Sequence, residues 1–199
     1  MKIHFYLRFH TNPGQQLFIS GNTATLGDSD ESSAAPMQYL NSEYWQIAVA
    51  VDPAENPKIQ YNYLLKNADG SEVIEWGDDK IIDTGKSGIQ EMEIHDTWNH
   101  AGEFDNVFYT DPFRKVLLNN ADVKSKPKAV KNFTHIFRVK APLLEKNEVV
   151  CILGSDGSMA DWNTSSPVLL FPEGNWWSVK LNLPREPFNV TYKYGIYNT

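Results

Sequence analysis

Hydrophobic and polar residues alternate with a period of two along much of the chain. Ile3, Phe5, Leu7 and Phe9 share one phase, Leu17, Ile19 and Gly21 another, and Trp45, Ile47 and Val49 a third. Neighbouring side chains of an extended backbone point to opposite faces, so each run predicts a strand with one face buried. After Pro57, the run Ile59-Gln60-Tyr61-Asn62-Tyr63-Leu64-Leu65 leads through Asn67-Ala68-Asp69-Gly70 to Glu72-Val73-Ile74-Glu75-Trp76. The Asp-Gly pair suits the positive φ of a tight turn, and the flanking runs are expected to pair antiparallel. A further alternation over 89–94 supplies another strand, while the acidic, weakly hydrophobic stretch 27–36 reads as an exposed loop. Helical periodicity is scarce, and strands at this spacing predict an all-β sandwich or barrel.

The second half repeats the first. Gly21-Asn22 after Leu17-Phe18-Ile19-Ser20 is matched by Gly154-Ser155 after Val150-Cys151-Ile152-Leu153. Tyr44-Trp45-Gln46-Ile47-Ala48-Val49 is matched by Trp176-Trp177-Ser178-Val179-Lys180-Leu181, and Tyr61-Asn62-Tyr63 by Tyr192-Lys193-Tyr194. Three matches in one order, at a nearly constant separation, predict two copies of one domain. The predicted organisation is a first sandwich over 1–96, a connecting segment over 97–130 that packs on the modules, and a second sandwich over 131–199. The counterpart of Trp76 would fall beyond Thr199, so the second copy is expected to be truncated and the chain to be part of a longer one.

Composition narrows the function classes. Aromatic residues make up 13% of the chain, beside 12 Gly and 11 Pro, a balance that favours strands and turns. Eighteen Lys and Arg against 25 Asp and Glu give a net charge of −7, so no basic field is available to neutralise nucleic acid or an anionic membrane. The alternating start with Arg8 inside it lacks the pattern of a signal peptide or membrane span. With Cys151 as the one cysteine, stability must come from packing, and the expected location is cytoplasmic.

Catalytic constellations are missing from the pattern. His4, His10, His95, His100 and His135 are scattered, without zinc-ligand spacing. The acidic run from Asp28 has Ser33 where a calcium loop needs glycine and Tyr39 where it needs a bidentate Glu. Gly154-Ser155-Asp156-Gly157-Ser158 has neither nucleophile-elbow nor phosphate-loop spacing, and Cys151 lies in an apolar strand run. No metal, cofactor or catalytic residue is expected.

Two tryptophans stand where a core residue is not expected. Trp76 ends a strand beside Gly77-Asp78-Asp79-Lys80, and Trp162 follows Met159-Ala160-Asp161 in a loop. An indole in such a setting offers a platform for the C–H face of a sugar ring, with polar neighbours to bond its hydroxyls.

Both copies resemble starch-binding domains of carbohydrate-binding module family 20. In the first copy the residues that carry the resemblance are Gly14-Gln15-Gln16-Leu17, Gly21-Asn22, Leu26-Gly27, Trp45, Tyr61-Asn62-Tyr63 and Glu75-Trp76. In the second they are Asn147-Glu148-Val149-Val150, Gly154-Ser155, Met159-Ala160-Asp161-Trp162, Trp177 and Tyr192-Lys193-Tyr194. The resemblance implies two immunoglobulin-like antiparallel β-sandwich modules in tandem and a first glucan site built from a loop Trp, a strand Lys and a late Trp. It assigns Trp162 and Lys193 to that site in the second copy and Trp76 in the first, where Ser29 and Asn62 replace the loop Trp and the Lys. Pro13 and Lys146 occupy the place of the Tyr that supports a second site in some members, so no second site is expected. Trp45 and Trp177 match a structural position, and Trp176 is a further candidate platform.

Tandem modules joined by a segment such as Phe108-Tyr109-Thr110-Asp111-Pro112-Phe113 look like the start of a plant-type disproportionating enzyme, a cytosolic 4-α-glucanotransferase. That resemblance implies a downstream catalytic barrel as partner within the parent chain and no catalysis by this stretch. The expected function is binding of α-1,4-glucans such as starch, glycogen or maltooligosaccharides. The rival readings are a structural or protein-contact spacer that has lost glucan binding, and an enzyme in its own right.

Overall fold

The alternation at the amino terminus forms strand β1 (Lys2–Arg8), in which Ile3, Phe5 and Leu7 are buried and the residues between them are not. The computed structural model describes residues 1–85, 88–117, 133–183 and 190–199. The chain divides into two compact units, Met1–Phe104 and Asp105–Thr199. The basic, proline-bearing part of the connecting segment, around Lys124 to Lys128, lies outside the described residues.

The first unit continues with β2 (Gln16–Gly21), β3 (Ala35–Pro36), β4 (Gln38–Tyr39), β5 (Tyr44–Ala50), β6 (Lys58–Lys66), β7 (Glu72–Ile74), β8 (Lys80–Asp83) and β9 (Glu91–Thr97). One sheet has the order β4-β5-β1-β9; the other has β3-β2-β6-β7, with β8 also on β6. The core lies between them, where Phe5, Trp45 and Val49 of the first sheet join Leu17, Ile19 and Tyr63 of the second. The hairpin from β6 to β7 turns where expected: Gly70 takes φ +83° and the Asp69 carboxylate accepts the Ser71 N–H at 2.9 Å. One pair departs from the antiparallel expectation. β9 runs parallel to β1, because the chain crosses from β8 on one sheet to the far edge of the other. Trp98 follows β9 and closes the same core with 6% of its surface exposed.

A polar link ties the two sheets. The hydroxyls of Tyr61 and Tyr63 on β6 both donate to Oδ2 of Asp96 on β9, at 2.8 and 2.9 Å. Burial, and then the Asp96 charge, push the Tyr63 hydroxyl well above its ordinary range, so it stays neutral and donates. Asp96→Ala would leave both hydroxyls without that acceptor at little-exposed positions. It is expected to destabilise the first unit by about 1–3 kcal/mol in urea unfolding, the cost of a buried donor that loses its acceptor.

The second unit holds β10 (His135–Val139), β11 (Glu148–Gly154), β12 (Val168–Leu169), β13 (Phe171–Glu173), β14 (Trp176–Leu181) and β15 (Tyr192–Asn198). Its sheets have the orders β10-β14-β13 and β12-β11-β15, around a core that includes Phe137, Val150, Ile152, Met159 and Leu170. The register repeats that of the first unit rung by rung. Leu7 faces Trp45 as Val139 faces Trp177, Gly21 faces Tyr61 as Gly154 faces Tyr192, and Phe18 faces Pro36 as Cys151 faces Leu169. Among the described residues the second unit has no counterparts of β7, β8 and β9. The rungs those strands help to cover in the first unit are accordingly open: Tyr192 and Ile196 are exposed, whereas Tyr61 and Leu65 are buried.

Both units place glycine where the second strand of the shared ladder ends, for the same steric reason. A Cβ on Gly21 would lie 2.7 Å from the Gln60 carbonyl oxygen and 2.9 Å from Leu26 Cδ1. A Cβ on Gly154 would lie 2.8 Å from the Thr191 carbonyl oxygen and 2.8 Å from Met159 Sδ. Only glycine lets the backbone come this close, and the next residue's N–H bonds the same carbonyl, Asn22 to Gln60 at 3.0 Å and Ser155 to Thr191 at 2.9 Å.

Candidate functional site

The loop leaving Gly154 is built to project one indole. The Asp156 carboxylate accepts the Ser158 N–H at 2.8 Å, and the Asp156 carbonyl accepts the Met159 and Asp161 N–H groups at 2.7 and 3.3 Å. Met159 is fully buried and plugs the core beneath the loop. The chain then takes three consecutive left-handed residues, Ala160 (φ +64°), Asp161 (φ +44°) and Trp162 (φ +61°). Each such residue costs about 1–2 kcal/mol in an L-amino acid, so the turn persists because Met159 and these hydrogen bonds over-determine it. At its end the side chain of Trp162 stands out, with 43% of the residue exposed.

The first unit makes the same turn without the ring. Leu26 takes the buried place of Met159, the Thr23 carbonyl accepts the Leu26 and Asp28 N–H groups at 2.9 and 3.0 Å, and Gly27, Asp28 and Ser29 have φ of +88°, +51° and +64°. Ser29 therefore stands in backbone conformation where Trp162 stands in the second unit.

Lys193 lies on β15 opposite Leu153, one rung from the Gly154–Tyr192 pair. Its neighbour Tyr194 packs on the core, so Lys193 faces the other side of the strand and is exposed. The fold thus brings Lys193 and the Trp162 loop to the same end of the β11–β15 ladder. Asn62 occupies the equivalent rung on β6, opposite Ser20. Its side-chain amide donates to the Glu75 carbonyl at 3.4 Å, which places position 62 beside the backbone that carries Trp76.

Trp76 is half-buried rather than open. Glu75 before it is buried, its carboxylate accepting the Asn99 N–H at 2.9 Å and pairing with Lys80. Burial raises the Glu75 carboxyl above the usual carboxylate range, against the opposing pull of Lys80. Trp176 also differs from an open platform: it is half-buried, and the Lys140 ammonium lies 5.0 Å from its ring and 5.1 Å from that of Tyr109. A cation so placed takes up one face of the Trp176 ring. Trp45 is buried with 7% exposed, as its structural role requires, and Trp177 is half-buried. The Cys151 thiol is buried and its pKa raised by that burial, so it is a poor nucleophile.

Two features of this surface escaped the sequence. Asn99 falls in a stretch without periodicity, inside the span 97–130 that the sequence pattern marks as a connecting segment. A groove of about 650 Å³ in the first unit, lined by Phe9, Trp98 and His100 with Arg8 and Glu103 among others, holds none of the four candidate residues.

Fold and loop geometry together define a class, an all-β protein with a ring-presenting loop at the end of a sandwich. Residues 1–93 match the family model described as the starch binding domain, carbohydrate-binding module family 20. The match takes in Ser29, Asn62 and Trp76, and ends before Asn99 and before the second unit. Similar solved structures include a glycoside hydrolase family 15 glucoamylase from Hypocrea jecorina, at 21% identity and a TM-score of 0.42, over 50% of this chain and 17% of that one. A Hormoconis resinae glucoamylase matches at 21% identity and 0.43, over 51% of this chain and 18% of its own. The family 20 module of a maltotetraose-forming amylase from Pseudomonas saccharophila matches at 16% identity and 0.40, over 49% of this chain and all of its own. The chain thus spans under a fifth of the length of the two glucoamylases.

Proposed function

We propose that this chain binds α-1,4-glucans through its two sandwich units, Trp162 and Lys193 acting in the second and Trp76 in the first, and that it does not turn them over. The observation that carries this reading is the Trp162 loop, which accepts three left-handed residues to hold an indole in solvent. The starch binding domain match over 1–93 supports it for the first unit. One or two stacking contacts and a few exposed hydrogen bonds, at about 1 kcal/mol each, suggest about −4 to −6 kcal/mol, or dissociation constants from the order of millimolar to tens of micromolar. Two units on one chain gain avidity on a long polymer when their sites can engage together.

In its finer form the proposal makes these units the non-catalytic amino-terminal part of a cytoplasmic 4-α-glucanotransferase, holding polysaccharide near a downstream barrel and needing no cofactor. The resemblance of the tandem arrangement supports that form.

Calorimetric titration of the chain with β-cyclodextrin tests the binding. Trp162→Ala is expected to weaken it by about tenfold, the loss of one good ring contact with its buried area. Absence of heat from the unsubstituted chain would sink the proposal. The spacer reading has one observation in its favour, confined to the first unit: Ser29 and Asn62 replace the ring and the cation, and the Asn62 amide is already engaged. An effect of Trp162→Ala with none from Trp76→Ala would assign that reading to the first unit. Release of glucose from maltotriose above buffer would favour the enzyme reading instead.

A further inference from the structure

We infer that Asn99 is a positioning residue that sets the angle and depth of the Trp76 indole; the inference rests on the glucan-binding reading of Trp76. The β6–β7 ladder stops just before this tryptophan. β7 ends at Ile74, and the last backbone bond of this ladder runs from the Glu75 N–H to the Tyr63 carbonyl at 2.9 Å. From Trp76 onward the partner changes. The Trp76 N–H donates to the Asn99 carbonyl at 3.1 Å, and the Asn99 side-chain amide donates to the Trp76 carbonyl at 3.0 Å. The Asn99 N–H completes the set by donating to Glu75 Oε1 at 2.9 Å.

Both backbone polar groups of Trp76 are therefore held by one residue, 23 positions along the chain. The chain turns away directly afterwards at Gly77, with φ +113°. Because Lys80 pairs with the other oxygen of Glu75 and reaches over the Tyr63 ring at 5.1 Å, the start of β8 is tied into the same cluster. Asn99 follows Trp98, whose ring is fixed in the core, so the clamp is anchored to a rigid point. A strand end held only through backbone would fray; here a side-chain donor is required, and an ionised carboxylate of the same shape cannot supply it. A ring held at a fixed angle can meet a glucose face without first paying the ordering entropy of a mobile loop.

The test uses the full chain with 5-fluorotryptophan in place of its six tryptophans, so that each indole reports separately by fluorine resonance. β-Cyclodextrin is titrated into the unsubstituted chain, Asn99→Asp and Asn99→Ala. In both variants the dissociation constant read at Trp76 is expected to rise by about three- to tenfold, the loss of one hydrogen bond's ordering, while that read at Trp162 holds. The Trp76 resonance of the free protein should also move, with those of Trp45 and Trp98 in place as evidence of an intact core. An unchanged constant at Trp76 in both variants overturns the inference, as does an equal disturbance of Trp45, Trp98 and Trp76, which would make Asn99 a general stabiliser. If β-cyclodextrin moves no resonance of the unsubstituted chain, the glucan reading itself fails. The free-state resonance of Trp76 then still decides whether Asn99 holds the ring.

Discussion

Ser29→Trp is expected to tighten β-cyclodextrin binding by the first unit about tenfold, since one added ring contact is worth about 1–1.5 kcal/mol beyond the area it buries. Trp162 and Ser29 close the same three-residue left-handed turn, at φ +61° and +64°, over the same kind of buried plug. The backbone that an indole needs is thus already present at position 29, and Ser29 is exposed, so the ring meets no packed core. Asn62→Lys supplies the missing cation on the neighbouring strand and is expected to add a smaller gain. Titration in a Trp162→Ala background lets the heat report on the first unit. An unchanged constant for Ser29→Trp would mean that position 29 does not face the surface that Trp76 faces, and that the two halves of the supposed site are separate.

Gly21→Ala is expected to destabilise the first unit by about 2–4 kcal/mol, near the upper range for overpacking, because its Cβ meets a fixed carbonyl and not only a flexible side chain. The Gln60 oxygen at 2.7 Å already accepts the Asn22 N–H, so backing away breaks that bond as well. Gly154→Ala should be milder, since part of its clash is with the adaptable Met159, yet the Thr191 oxygen at 2.8 Å still obstructs it. Gly70→Ala makes the control: nothing lies within 4 Å of its Cβ, and only the positive φ opposes it, at about 1 kcal/mol. Urea unfolding that ranks the three substitutions otherwise would contradict the steric account of the shared glycine.

Half-buried strands were the legible part of this fold. β1, β2, β5 and β6 each bury alternate residues in one sheet face, and that burial is what writes period two into the sequence. The internal repeat was legible for the same reason, and the registers of β11 with β15 and β10 with β14 carry it through rung by rung. The two-residue strands β3, β4, β12 and β13's short ladder leave no periodic trace, because too few side chains alternate. The parallel pairing of β9 was hidden as well, since direction is set by how the chain crosses between sheets and not by which residues face inward.

At the candidate site, the turn at Trp162 was legible only as a loop. Its left-handed geometry arises from Met159 locking beneath it, a tertiary constraint. Trp76 and Trp176 were expected to be more open than they are. The partners found there come from far along the chain, Asn99 at the Trp76 backbone and Lys140 at the Trp176 ring, and no local pattern announces them.

The central claim is that glucose rings settle on the Trp162 indole, and chemical protection of that ring tests it most directly. N-bromosuccinimide oxidises accessible indoles, and peptide mass spectrometry assigns the sites. In the free chain Trp162 should react early and the buried Trp45 and Trp98 late. With saturating maltoheptaose the oxidation of Trp162 should slow severalfold while the rates at Trp45 and Trp98 hold. An undiminished rate at Trp162 in saturating maltoheptaose would contradict the account.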